Sequence, residues 1–187
     1  MTEYERYFEY LKRRSVAARI YRRAFLYPIL CRHLKGHTVD IGCGIGDMLA
    51  FRPHTVGTDI NPRLVAHCVE RGLDAVVMTV DRLPFEAGEF DCAVLDNVLE
   101  HLTEPGPLLR EAARVLKPGG VLLIGVPGER GYASDADHKT FYDESALVRT
   151  VEARGFRQRS VFHVPVRSRF LSKRLRQYCM YGVFGRQ

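Results

Sequence analysis

The 187 residues are 46% hydrophobic and 27% charged with a formal net charge of +6, a length that suits one domain with more core than a minimal fold. No apolar run approaches the ~20 residues that cross a bilayer, and the start Met1-Thr2-Glu3-Tyr4-Glu5 lacks the basic-then-apolar order of a secretory leader, so a soluble cytoplasmic chain is expected. Cys31, Cys43, Cys68, Cys92 and Cys179 show no Cys-x-x-Cys spacing, which argues for reduced thiols and against a cysteine-held zinc; no metal is expected.

The charge is segregated along the chain. Residues 1–35 hold nine Lys/Arg and three Glu, residues 36–152 hold ten Lys/Arg and nineteen Asp/Glu, and residues 153–187 hold nine Lys/Arg and no acid. An acidic middle suits a cationic ligand, and basic ends suit an anionic partner or simple packing beside that middle.

From Tyr4 to Leu34 the pattern is helical, forming an N-terminal cap over residues 1–35. Tyr4, Tyr7, Phe8 and Leu11 make one face and Ile20, Ala24 and Tyr27 continue it, with Arg13, Arg14, Arg19, Arg22 and Arg23 around the rest. Pro28 is expected to divide the segment into two helices. A core over residues 36–164 then alternates strand and helix: strand Thr38–Gly42, a short helix Gly46–Phe51, strand Thr55–Ile60, helix Arg63–Arg71 opened by Asn61-Pro62 and closed by Gly72, strand Ala75–Met78 and strand Phe90–Leu95. Helix Leu108–Leu116 stops at Lys117-Pro118-Gly119-Gly120, strand Val121–Val126 follows, and Gly128–Tyr142 reads as a long polar loop. Helix Glu144–Arg154, strand Phe156–Val164 and, within the basic segment 165–187, strand Tyr178–Phe184 complete the chain as one domain. The fold class is α/β: a doubly wound, Rossmann-like, mostly parallel seven-stranded sheet with helices on both faces and an antiparallel last strand.

The chemistry starts at Val39-Asp40-Ile41-Gly42-Cys43-Gly44-Ile45-Gly46, a buried-strand pattern running into glycines on alternate positions, where a ligand can approach backbone N–H groups. A dinucleotide loop would instead want Gly or Ala at Asp47. Asp59 closes the next strand, where a carboxylate can accept both ribose hydroxyls of an adenosine. Then come Thr79-Val80-Asp81-Arg82-Leu83-Pro84-Phe85 with Phe90-Asp91, and Asp96-Asn97-Val98-Leu99-Glu100-His101 after the fourth strand.

These four motifs, in order, resemble those of class I S-adenosylmethionine-dependent methyltransferases of the small-molecule type, over roughly residues 38–126. The resemblance implies S-adenosylmethionine as cofactor, S-adenosylhomocysteine as product, and Asp40, Gly42, Cys43, Gly44, Gly46, Asp59, Ile60, Thr79, Val80, Asp81, Leu83, Asp96 and Asn97 as its contacts. Thr79 stands where the family usually has an acidic residue, leaving the Thr79 hydroxyl, the Asp81 carboxylate and the Val80 and Asp81 backbone as adenine contacts. Candidate catalytic groups are His101, His138 and Tyr142, the last two in His138-Lys139-Thr140-Phe141-Tyr142.

The expected acceptor is an oxygen or nitrogen of a small molecule or a lipid- or sugar-linked intermediate. Neither an Asp/Asn-Pro-Pro-aromatic nor a Pro-Cys motif is present, so the sequence does not point to nucleic acid, although RNA methylation is the second reading and a non-catalytic cofactor-binding module the third. Arg167, Arg169, Lys173, Arg174 and Arg176, with Phe170, Leu171 and Tyr178 among them, suit peripheral contact with an inner membrane face. Oligomeric state is not legible.

Overall fold

The computed structural model describes residues 2–13 and 15–187; Arg14, read as part of the basic face, lies outside the described residues. Helix α1 (Glu3–Lys12) opens with a capping box in which Thr2 and Glu5 satisfy each other's backbone N–H groups. Helix α2 (Val16–Tyr21) runs through a π-helical turn (Arg22–Leu26) into α3 (Tyr27–Cys31). Pro28 therefore does not divide the segment. The Tyr27 N–H bonds back to the Arg22 carbonyl across the wider π spacing, and the proline sits just after it, in the first turn of α3. The extra residue also turns the helix, so Ile20 and Ala24 face solvent while Leu26, Tyr27 and Leu30 are buried.

The strands are β1 (Thr38–Ile41), β2 (Thr55–Asp59), β3 (Ala75–Val77), β4 (Phe90–Asp96), β5 (Leu116–Pro127), β6 (Phe156–Val164) and β7 (Cys179–Arg186). They form one seven-stranded sheet in the order β3-β2-β1-β4-β5-β7-β6, with β7 antiparallel to both neighbours and the other pairings parallel. The Lys117-Pro118-Gly119-Gly120 turn is absorbed into β5 as a bulge: Phe90 pairs with Leu116 and Cys92 with Val121. Helices α4 (Pro62–Glu70) and α5 (Gly106–Val115), the short α6 (Glu129–Tyr132), α7 (Glu144–Glu152) and the short α8 (Arg169–Ser172) complete the order. Asn61 caps α4 by accepting from the Arg63 N–H.

Two expectations change here. Residues 46–51 form consecutive turns, not a helix, and the segment 128–142 contains α6.

Successive side chains of the central strands go to opposite faces. Val39, Ile41, Ala93, Leu95, Leu122, Ile124 and Phe184 pack with Leu108, Leu109, Ala112, Leu147 and Val151 of α5 and α7. Val94, Leu123, Tyr181 and Val183 pack with Leu26, Tyr27 and Leu30 on the other face. The chain walks outward from β1 to β3 and returns at β4 on the other side of β1, so the carboxyl ends of β1 and β4 flank the switch point where such sheets bind ligands.

Candidate active site

A cavity of about 740 Å³ opens at that switch point, lined by Gly42 and Gly44 after β1, Asp59 and Ile60 after β2, Met78 and Val80 after β3, and Asn97, Val98 and His101 after β4. Gly42 is required twice over. Its φ is +79°, and a Cβ there would lie 2.6 Å from Val98 Cγ2. Four of the loop's N–H groups, however, are taken up within the protein and do not face the cavity as expected. Gly42 and Cys43 donate to the Thr58 carbonyl (2.7 and 3.1 Å), Gly44 donates to Asp59 Oδ2 (3.0 Å) and Gly46 to the Cys43 carbonyl (3.0 Å). With no helix following, the loop offers the cavity its bare Cα surface.

Asp59 is buried. Its Oδ1 accepts from the Asn61 N–H (2.9 Å) and Oδ2 from Gly44, which fixes the carboxylate while burial raises its pKa against those bonds. The Asn61 side-chain amide donates to the Tyr4 carbonyl (3.0 Å), pinning α1 over the opening. Tyr4, Arg6, Tyr7 and Tyr10 thereby join the wall, opposite Lys139 and Arg176.

A second, smaller cavity of about 200 Å³ lies beside the first and shares Gly42, Gly44, Asn97 and His101 with it. Asp40, Asp47, Asp96 and Asp135 make it acidic, and Arg22, Cys43 and His138 also line it. Burial, then the Asp96 charge, pushes Asp40 up to about 7. Asp96 accepts from Arg22 Nη2 (2.7 Å), the Tyr181 hydroxyl (2.8 Å) and Asn97 Nδ2 (3.0 Å). Arg22 also donates through Nε to the Tyr27 hydroxyl (2.9 Å); burial is the largest influence and opposes its charge, but Asp96, Tyr27 and Tyr181 together outweigh it and hold the guanidinium more firmly protonated than usual. Asn97 adopts φ +61°, uncommon for a residue with a side chain, where β4 turns into the 3-10 turn Leu99–His101.

That turn carries Glu100, which is fully buried, with neither carboxylate oxygen hydrogen-bonded, and burial pushes its pKa up to about 8. The His101 and His138 rings lie 4.7 Å apart between centroids. Burial and then the neighbouring His138 lower the His101 pKa, which leaves that imidazole neutral at neutral pH.

Of the residues named from sequence, Asp40, Gly42, Cys43, Gly44, Asp59, Ile60, Val80, Asp96, Asn97, His101 and His138 line one or both cavities. Gly46, Thr79, Asp81, Leu83 and Tyr142 line neither. Gly46 packs against Cys68 and Leu73. The Thr79 hydroxyl donates to Asp81 Oδ1 (2.9 Å) on the exposed side of the turn. Leu83 is in the core, tied through its N–H to Glu111 and through its carbonyl to Arg114. Tyr142 is buried in the same core cluster. Arg22, Tyr181, Glu100 and the α1 tyrosines were not singled out as site residues; only the π turn, which no pattern marked, brings Arg22 inward.

Residues 39–124 match the family of methyltransferase domains, and that stretch spans the strands that flank both cavities. Residues 39–124 form a methyltransferase domain, and the chain has the fold of S-adenosylmethionine-dependent methyltransferases. Curated relatives of this methyltransferase domain include a ubiquinone biosynthesis O-methyltransferase of Caulobacter vibrioides, 36% identical over 46% of this chain and 38% of the relative. Another is a probable tRNA methyltransferase 9B of Homo sapiens, 36% identical over 58% of this chain and 24% of the relative. The chain thus spans less than half the length of either. Among solved structures, a putative methyltransferase of Haloferax volcanii, in complex with the Trm112 methyltransferase activator, matches with a TM-score of 0.77 at 17% identity, covering 100% of this chain and 98% of the other.

The cavity suits the cofactor: Gly42 spares its wall a side chain that would strike Val98, and a fixed carboxylate stands at the end of β2.

Proposed function

We propose that the domain moves a methyl group to an oxygen or nitrogen of a small-molecule or lipid- or sugar-linked acceptor. The observation that carries this reading is that one cavity joins Gly42 and Asp59 to Asn97, His101 and the tyrosines of α1, so cofactor and acceptor can share a single cleft. S-adenosylmethionine supplies an already activated methyl on a sulfonium. What remains for the protein is alignment and exclusion of water.

In this reading Asp59 holds the ribose hydroxyls, Ile60, Met78 and Val80 bracket the adenine, and Asp40 faces the amino acid end together with the other acids of the smaller cavity. Thr79, Asp81 and Leu83 act as the frame of the adenine turn. The methyl points to the Asn97–His101 end, where His101 or His138 is placed to take a proton from a hydroxyl acceptor. Arg6, Lys139 and Arg176 lie on the cavity wall together with Asp59, Asp135 and Asp137, so the wall offers an acceptor both signs of charge.

The segment after β6 supports a lipid-linked acceptor. Val166 (57% exposed) and Phe170 (62% exposed) stand among Arg167, Arg169, Lys173 and Arg174, a basic surface with apolar tips suited to an anionic lipid surface. No helix among the described residues is long and apolar enough to cross a membrane. The same basic surface, with tRNA methyltransferases among the relatives, gives RNA as the second reading.

The test is transfer of labelled methyl to separated pools of small metabolites, membrane lipids and RNA. Label in the small-molecule or lipid pool supports the reading. Label confined to RNA replaces it with the second.

A further inference from the structure

Glu100 stands out among the buried groups: its carboxylate is enclosed, yet neither oxygen finds a donor, and a buried acceptor left unpaired is costly. Two imidazoles face it. His138 Nδ1 lies 2.8 Å from the Tyr132 carbonyl, which can only accept, so Nδ1 carries the proton and Nε2 presents a lone pair, 3.9 Å from Glu100 Oε1. That distance is too long for a direct hydrogen bond, so neither atom satisfies the other. The His101 ring lies beside that of His138, 4.7 Å between centroids. One donor atom from each of Glu100, His101 and His138 falls within 4.8 Å of the others.

The site is built as well as clustered. Lys139 and Thr140 donate their N–H groups to the Glu100 carbonyl (2.7 and 3.1 Å), which clamps the loop bearing His138 onto the turn bearing Glu100 and His101. Tyr132 stacks on the His138 ring (centroids 5.3 Å, 18° between planes). A histidine oriented by a bond from its other nitrogen to a backbone carbonyl is the arrangement that metal-bound imidazoles use. The adjoining acidic cavity, with Asp96 and Asp135 in its wall, concentrates cations.

We propose that Glu100, His101 and His138 bind a divalent first-row transition ion such as zinc, manganese or iron(II). Two imidazoles and one carboxylate disfavour magnesium and calcium, which prefer all-oxygen sites, and three protein ligands leave positions open toward the cavity. Resting on the function proposed above, the ion's place beside the acceptor end assigns a hydroxyl acceptor, and the ion, by occupying the imidazole lone pairs, takes over from the histidines the task of releasing the hydroxyl proton. A hydroxyl oxygen bound to the ion loses its proton to solvent near neutral pH, its lone pair forms the new C–O bond, and the S–C electron pair stays on sulfur.

The test titrates cobalt(II) into the full chain, chelator-stripped and free of any histidine tag, and follows both heat and the visible d–d bands. The wild type is expected to bind one equivalent with histidine-type bands, weakened at least tenfold in His138→Ala and in Glu100→Gln. Glu100→Gln keeps the shape while removing the carboxylate that would bind the ion, so it separates ligand loss from unfolding, and thermal melting of both variants checks folding. Absence of saturable binding to wild type, or equal affinity in folded Glu100→Gln, overturns the proposal. Neither readout needs S-adenosylmethionine, so failure here is distinct from failure of the cofactor site.

Discussion

Arg22 Nη2 and Asp96 Oδ2 lie 2.7 Å apart, joining the N-terminal helical segment to the carboxyl end of β4 at the wall of the acidic cavity. The basic start of the chain thus packs into the acidic middle through at least one specific, mostly buried pair. Asp96 depends on it. Replacing Arg22 by Ala leaves that carboxylate facing only Tyr181 and Asn97, and breaking such a pair costs about 3 kcal/mol. Urea unfolding of Arg22→Ala checks this. Arg22→Lys recovers little of the loss, since a single ammonium does not reproduce the two bonds from Nε and Nη2 to Tyr27 and Asp96.

Gly42 and Gly72 share a positive φ but not a neighbourhood. A Cβ on Gly42 meets Val98, whereas one on Gly72 meets nothing within 4 Å. Both alanine variants lose about 1 kcal/mol of stability to backbone strain. Only Gly42→Ala also narrows the cavity, and it is expected to weaken cofactor binding at least tenfold while Gly72→Ala leaves it unchanged, as measured by calorimetric titration.

This contrast shows what the sequence could say. The succession of strands, the glycine loop and Asp59 were legible because they depend on local pattern and on residue types that few other roles require. Where a side chain points after a π turn depends on one extra backbone residue, which no periodicity marks, so Arg22 looked like one more exposed arginine. Residues 46–51 carry an apolar pattern that suits a helix, yet the inward-turned N–H groups of the glycine loop and the packing of Met48 and Leu49 hold them in turns. Glu100 was read only as part of a motif, because burial of a charged residue without a partner is a property of the folded surroundings.

Asp40 gives stability a pH dependence. Its pKa rises from an ordinary 3.8 to about 7 in the fold, so the folded state holds the proton more tightly than the unfolded chain. The contribution is fully present below the ordinary value and is lost as pH rises toward 7, at up to about 1.4 kcal/mol per pH unit. Asp40→Asn should flatten that part of the stability curve between pH 4 and 7, checked by urea unfolding across the range. An unchanged slope would place the proton elsewhere.

The basic surface around α8 should bind vesicles containing anionic lipid at low salt and release them as salt rises. Phe170→Ser combined with Arg174→Ser should weaken this binding, measured by vesicle sedimentation. A protein that ignores such vesicles at low salt does not use this surface for lipid.

The central claim is that the cavity between the glycine loop and the end of β2 holds the cofactor. The most direct measurement is calorimetric titration of S-adenosylmethionine and S-adenosylhomocysteine into wild type and Asp59→Ala, with unfolding curves for both. The account predicts saturable one-to-one binding to wild type and loss of at least tenfold in a folded Asp59→Ala. Unchanged affinity in that variant, or no binding of either ligand to the wild type, would contradict it.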